Sequence, residues 1–149
     1  MLMKSRTLFF IAIGLLLLGV AVFIFSTQNQ EPAQTFSATI NRDCAPWDGS
    51  AFTVSIRYDP TTTITILIWQ SPDIKTPTTF TFPDDTGQVG TAYILPELDP
   101  LQQLRGIVFF SRVEEGSPVE GRFELITEAG QRFEGQFEAG WENQIALCG

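Results

Sequence analysis

From Thr35 onward the chain alternates apolar and polar side chains with a period of two. "TFSATI" places Phe36, Ala38 and Ile40 on one face. "AFTVSIRY" places Phe52, Val54, Ile56 and Tyr58 on one face, with Thr53, Ser55 and Arg57 opposite. "TTITILIW" aligns Ile64, Ile66 and Ile68, and "TTFTF" sets Phe80 and Phe82 against threonines. Successive side chains of an extended chain point to opposite faces, so this alternation, rich in β-branched and aromatic residues, predicts half-buried strands. "TAYIL" and "GIVFFS" are apolar at consecutive positions, which predicts burial on both faces. Turn residues fall between these runs: Asp48-Gly49, Asp59-Pro60, Ser71-Pro72, Pro83-Asp84-Asp85-Thr86-Gly87 and Glu115-Gly116-Ser117-Pro118. One short helical turn fits "LPELDPLQQL" (95–104), with Asp99 as its cap and Pro100 at the first helical position. The pattern predicts an all-β domain, an antiparallel β-sandwich of about eight to nine strands ending in a meander. A small closed β-barrel is the alternative.

The sharpest local signal is an echo. Glu120-Gly121-Arg122-Phe123-Glu124 recurs as Glu134-Gly135-Gln136-Phe137-Glu138. A hairpin explains it. A three-residue loop, Glu128-Ala129-Gly130, with Gly130 in the left-handed region, pairs Leu125 with Phe133, Phe123 with Gly135, Gly121 with Phe137 and Val119 with Ala139. All apolar members of that set then share one face. A two-residue loop would scatter them over both, so the hydrophobic pattern selects the register. Each glycine faces a phenylalanine whose ring can lie over the bare backbone, with Phe123 over Gly135 and Phe137 over Gly121. The opposite face carries Glu120, Arg122, Glu124, Glu134, Gln136 and Glu138. Four carboxylates invite a Ca²⁺ reading, but a flat strand surface supplies no wrapped oxygen cage, and no metal is expected.

The N-terminal pattern is different. Leu8 to Phe25 is an uninterrupted apolar run of 18 residues, near the minimum for crossing a bilayer. Lys4 and Arg6 precede it, and no basic residue follows until Arg42, which places the N-terminus in the cytoplasm. The expected organisation is a cytoplasmic tail (1–7), a transmembrane signal anchor (8–25), a stalk (26–34) and an extracytoplasmic β domain (35–149). Secretion after signal cleavage is the alternative. A small-x-small cleavage site is missing after the run.

Composition narrows the chemistry. From Glu31 onward there are seven basic and seventeen acidic residues, a formal −10, which disfavours nucleic acid as a partner. The two cysteines, Cys44 and Cys148, predict a disulfide in an exported domain. It closes a loop of about 100 residues, for which chain entropy gives up to about 4.7 kcal/mol. The chain has no histidine, no clustered cysteines and no Gly-x-x-x-x-Gly-Lys cradle. Serine-hydrolase, zinc and nucleotide chemistry therefore lack their usual groups, and no enzyme activity or cofactor is expected.

What remains is binding. Trp47, Trp69, Tyr93 and Trp141 are the candidate ligand-binding residues, because exposed aromatic faces stack on apolar ligand surfaces. Trp69 is expected to be the most exposed, since it ends a strand on the face opposite Ile64, Ile66 and Ile68. Trp47 and Trp141 are expected to serve as core or as cover for the disulfide. The function expected is a membrane-anchored, non-catalytic interaction or scaffold module at the cell envelope, assembling with an envelope protein through a sheet edge. The alternative is a carbohydrate- or small-ligand-binding module that uses exposed aromatics or an internal cavity.

Overall fold

The computed structural model describes residues 33–96, 101–142 and 146–148. The predicted tail (1–7), anchor (8–25) and all but the last two residues of the stalk lie outside them, as does the centre of the predicted helical turn, 97–100. In chain order the strands are β1 (Thr35–Cys44), β2 (Ser50–Arg57), β3 (Thr62–Ile68), β4 (Asp73–Ile74), β5 (Thr78–Phe82), β6 (Gly90–Pro96), β7 (Gln102–Phe110), β8 (Val113–Glu114), β9 (Val119–Thr127) and β10 (Arg132–Trp141). The eight longer strands are those the hydrophobic pattern predicts. The two-residue strands β4 and β8 leave no periodic signal.

The strands pair in the order β7-β6-β3-β2-β1-β10-β9, and β9 returns to β7, so the sheet closes into a seven-stranded barrel. The expected sandwich gives way to its alternative. The reason lies in one pairing that alternation cannot encode: β1 joins β10, the first strand to the last, with Phe36 beside Phe137 and Ile40 beside Trp141. That pair is parallel, and closure requires it. A ring of wholly antiparallel neighbours needs an even number of strands; seven need a parallel pair. The expected meander is present, since β6, β7, β9 and β10 are successive antiparallel neighbours. β7 shares one edge between two partners. β6 takes its start, at Tyr93–Gln103 and Ile94–Gln102, and β5 takes its end, from Phe82–Gly106 to Thr78–Phe110. Closure removes most free sheet edges, which suppresses edge-to-edge association.

The inward positions fill the lumen. Phe52, Phe110, Phe123 and Phe137 are fully buried, as are Ile40, Ile56, Ile64, Ile66 and Ile68. Phe110 meets the Phe52 and Phe137 rings edge-on, at 5.7 and 5.6 Å. Barrels of this size are filled by their own side chains, and each buried phenylalanine or isoleucine contributes roughly 1.5–3 kcal/mol of transfer free energy. The outward face of β7 corrects the expectation of two-sided burial. Ile107 is 38% exposed. Phe109 is half-buried, with the guanidinium of Arg122 4.8 Å from its ring centre.

The β9–β10 hairpin has the predicted register, with Leu125 opposite Phe133, Phe123 opposite Gly135, Gly121 opposite Phe137 and Val119 opposite Ala139. Gly130 turns the chain at φ 90°, and Thr127 N–H donates to the Gln131 carbonyl at 2.9 Å. A Cβ on Gly121 would stand 2.4 Å from Cζ of Phe137 and 2.5 Å from the Phe109 carbonyl oxygen, so the Phe137 ring does lie over bare backbone. Gly135 is covered differently. The nearest side chain there is Phe36, whose Cε2 would lie 2.4 Å from a Cβ. Phe123 faces Gly135 in register, but the ring over that glycine comes from β1, because the parallel β1–β10 seam places Phe36 alongside.

Strand direction defines two poles. β2 is antiparallel to both β1 and β3, and β10 is parallel to β1, so Cys44, Ile68 and Trp141 reach the same end. The chain enters β1 at the other end, at Thr35, ten residues or about 33 Å away along the strand. The entry pole is closed by Tyr58, stacked on Phe36 at 4.7 Å and edge-on to Phe133 at 5.0 Å. The far pole is open to a different use.

Candidate functional site

Four separate stretches of chain converge at the far pole: 42–50, 69–74, 113–115 and the described residues after β10, 141–142 with 146–148. β4 pairs with β8 there, Asp73 opposite Glu114 and Ile74 opposite Val113. The buried Ile74 and Val113 cap the barrel interior. Cys44 and Cys148 form the expected disulfide, with a Cα–Cα separation of 5.5 Å across 104 positions. Trp141 is half-buried, and its Nε1–H donates to the Glu114 carbonyl at 3.0 Å. Arg42 on β1 forms an ion pair with Glu115 after β8. These links fix segments that are remote in sequence.

All three tryptophans lie at this pole. Trp141 packs against the core as expected, whereas the order of the other two is reversed, with Trp47 the exposed one, at 55%. Trp69 is half-buried because the Trp47 ring meets it edge-on, with centroids 5.6 Å apart and planes at 78°. The Trp69 indole nitrogen is buried without a partner among the described residues.

Local chemistry explains how Trp47 is held out. The β1–β2 loop turns at Ala45–Asp48, where Asp48 N–H donates to the Ala45 carbonyl at 2.9 Å. Pro46 supplies the fixed φ of the second turn position. Asp48 takes φ 60°, a left-handed conformation that aspartate tolerates better than most residues. Ala45 N–H then bonds the Gly49 carbonyl at 2.8 Å. The Trp47 ring folds over Gly49, where a Cβ would lie 2.6 Å from Nε1. The indole is thus gripped along its edge.

Beside the tryptophans is a cleft of about 600 Å³. Arg42, Asp43, Ser50, Ser71, Pro72, Asp73, Glu114, Glu115, Ala146 and Cys148 line it. Asp43 is pinned, accepting from Thr53 Oγ1 at 2.6 Å and from the Cys44 N–H at 2.8 Å. Glu114 pairs with Arg112, and Asp73 lies 3.6 Å from the Lys75 ammonium. Ser50 continues directly from the Trp47 loop, and Ser71 follows Trp69 by two residues. The loop that holds Trp47 therefore leads, through Gly49 under its ring, into a cleft of hydroxyl, carboxylate and guanidinium groups whose described lining holds no aromatic residue. None of these polar residues was singled out from the sequence. They come from three segments, and only the β4–β8 bridge, two residues long, brings Asp73 to Glu114.

Other candidates are less convergent. Tyr93 is half-buried on the outer wall of β6, opposite Thr65 and Gln103 in register, and is not part of the pole. A second cleft, of about 620 Å³, opens where β5 and β6 part along β7, lined among others by Phe82, Pro83, Leu101 and Arg105. It contains none of the predicted site residues. On the outer face of β9–β10, Glu124 faces Glu134 and Glu120 faces Glu138, as predicted. Among the described residues no three such side chains come together at metal-binding distance. Two aspartates, Asp59 and Asp84, are held below the ordinary carboxylate pKa. The Thr61 backbone N–H stabilises the first and the Thr86 hydroxyl the second. Both sit in turns outside the cleft.

Comparison with known proteins finds no family model, no curated protein and no solved structure that matches this chain.

Proposed function

We propose that the protein is a non-catalytic binding module at the cell envelope, held at the membrane by residues 8–25 with its N-terminus in the cytoplasm, that presents the far pole of its barrel on the extracytoplasmic side. The observation that carries this reading is Trp47: a large apolar side chain, 55% exposed, fixed in place at the pole opposite the chain's entry. A barrel with a filled lumen and few free edges leaves its poles and outer wall as contact surface. The charge asymmetry around residues 8–25 and the Cys44–Cys148 bond support an extracytoplasmic setting. A non-catalytic role is supported by the lack of histidine. It is supported too by the occupation of the cleft carboxylates in ion pairs and hydrogen bonds.

The test is site-specific photo-crosslinking from the full chain in intact cells. A benzophenone side chain replaces Ser71 at the far pole or Arg57 at the entry pole. Discrete adducts are expected from position 71 and not from position 57. A barrel that forms adducts equally from both, or only from position 57, has no binding pole of this kind.

A further inference from the structure

We infer that the far pole binds an uncharged oligosaccharide, one pyranose ring lying on Trp47 and its hydroxyls directed into the adjoining cleft. This rests on the reading of the far pole as the binding surface and names the class of ligand. A pyranose has two chemically distinct aspects: a face of C–H groups and a rim of hydroxyls, each able to donate and to accept. The site has the same division. The electron-rich face of an indole attracts polarised C–H groups. Ser50, one residue beyond the glycine under that ring, and Ser71 both donate and accept, Asp43 accepts, and Arg42 donates.

The composition of the cleft argues against other ligands. An apolar peptide side chain would need an apolar pocket, and among the described residues the apolar lining is Pro72, Ala146 and Cys148. An anionic ligand would have to compete for cations already paired, Arg42 with Glu115, Arg112 with Glu114 and Lys75 with Asp73, on a domain with a formal −10 beyond residue 30. A neutral polyol meets neither obstacle. The platform is also preorganised. The loop bonds at 2.8 and 2.9 Å and the edge contact with Trp69 restrict the Trp47 ring before any ligand arrives, which lowers the ordering cost of binding. A single indole offers one stacking subsite, so the affinity of one site is modest and repeated sugars displayed at high density strengthen it through avidity.

The experiment uses the full chain in lipid nanodiscs. It is applied to immobilised N-acetylglucosamine hexamer, cellohexaose and maltohexaose, with the hexamer of galacturonic acid as the anionic arm. Four variants accompany it: Trp47→Ala, Trp47→Phe, Ser50→Ala and Tyr93→Phe. Binding to at least one neutral hexamer is expected, weakened about tenfold or more by Trp47→Ala, less by Trp47→Phe and Ser50→Ala, and unchanged by Tyr93→Phe. Circular dichroism and an unchanged urea midpoint verify that Trp47→Ala folds. Binding that survives Trp47→Ala overturns the inference, as does binding only to the galacturonic acid hexamer. If no hexamer binds while Ser71 still forms adducts to a polypeptide, the sugar is wrong and the binding pole stands. If Ser71 forms no adducts either, both readings fall.

Discussion

The β9–β10 hairpin and the far pole are built in opposite ways. The hairpin is 23 contiguous residues whose repeated Glu-Gly-x-Phe-Glu pattern looks functional and proves to be packing. The inward residues Val119, Phe123, Leu125, Phe133, Phe137 and Ala139 all have partners across the strand pair, and the glutamates are exposed. The far pole draws on four segments spread over more than a hundred positions, none with a repeated pattern. It leaves one large apolar ring 55% exposed even though that ring packs on Trp69 and Gly49. The conspicuous motif has a complete structural explanation, whereas the inconspicuous tryptophan does not. Where a residue's conformation is stabilised by its neighbours yet its surface is unused, function is the better place to look.

The comparison can be broken most forcefully at the hairpin. Phe137→Ala removes the ring that covers Gly121 and contacts Phe110 and Phe123. It should cost about 3–5 kcal/mol, read as a lower urea midpoint. Removing the disulfide by Cys44→Ser and Cys148→Ser acts at the pole and should cost about 2–4 kcal/mol. Trp47 quenching by acrylamide should rise as its loop loosens. Gly121→Ala inserts a methyl 2.5 Å from the Phe109 carbonyl oxygen. Backbone cannot yield there as a flexible side chain can, so a loss of about 1–3 kcal/mol is expected. Combining it with Phe137→Leu should give less than the sum of the two single effects, because the ring and the methyl contend for the same space. Trp47→Ala should change stability by no more than about 0.5 kcal/mol, as for an ordinary surface substitution. A large loss would make Trp47 a structural residue after all.

The smallest effect concerns pH. Asp84 accepts hydrogen bonds from the Thr86 hydroxyl, from the Thr86 N–H at 3.1 Å and from the Gln88 and Val89 N–H groups at 3.3 Å. These bonds favour its charged form and hold its pKa below the ordinary 3.8. The folded state therefore binds this proton less readily than the unfolded chain. The stabilisation is complete above the ordinary pKa and disappears as pH falls through the folded value. A carboxyl-carbon NMR titration should place the Asp84 midpoint below 3.8, and Thr86→Ala should move it back upward.

Much of the wall was legible in the sequence. Period-two alternation marked β1, β2, β3 and β5, consecutive apolar runs marked β6 and β7, and the hydrophobic register of 119–139 determined both the β9–β10 pairing and the Gly130 turn. The failures share one cause. Whether Phe36 or Phe123 covers Gly135, whether Trp47 or Trp69 faces water, and whether the sheet closes all depend on contacts between distant segments. Alternation reports which face of a strand is buried, not what lies next to it. Cys44 and Cys148 were the one long-range signal at the pole, since the pair could be read from compartment and count. Asp73, Glu114 and Ser71 carried none. Their strands are two residues long or absent, too short for any periodicity.

The most direct test of the contrast between wall and pole is a titration of the ¹⁵N-labelled full chain in nanodiscs with N-acetylglucosamine hexamer, cellohexaose and maltohexaose, followed on the three tryptophan indole N–H signals and on the amides of 119–139. The account predicts that the Trp47 indole moves most and Trp69 next, while the amides of the β9–β10 hairpin stay in place. Shifts concentrated on Glu120, Glu124, Glu134 and Glu138, with Trp47 unmoved, would contradict it and return the function to the repeated motif.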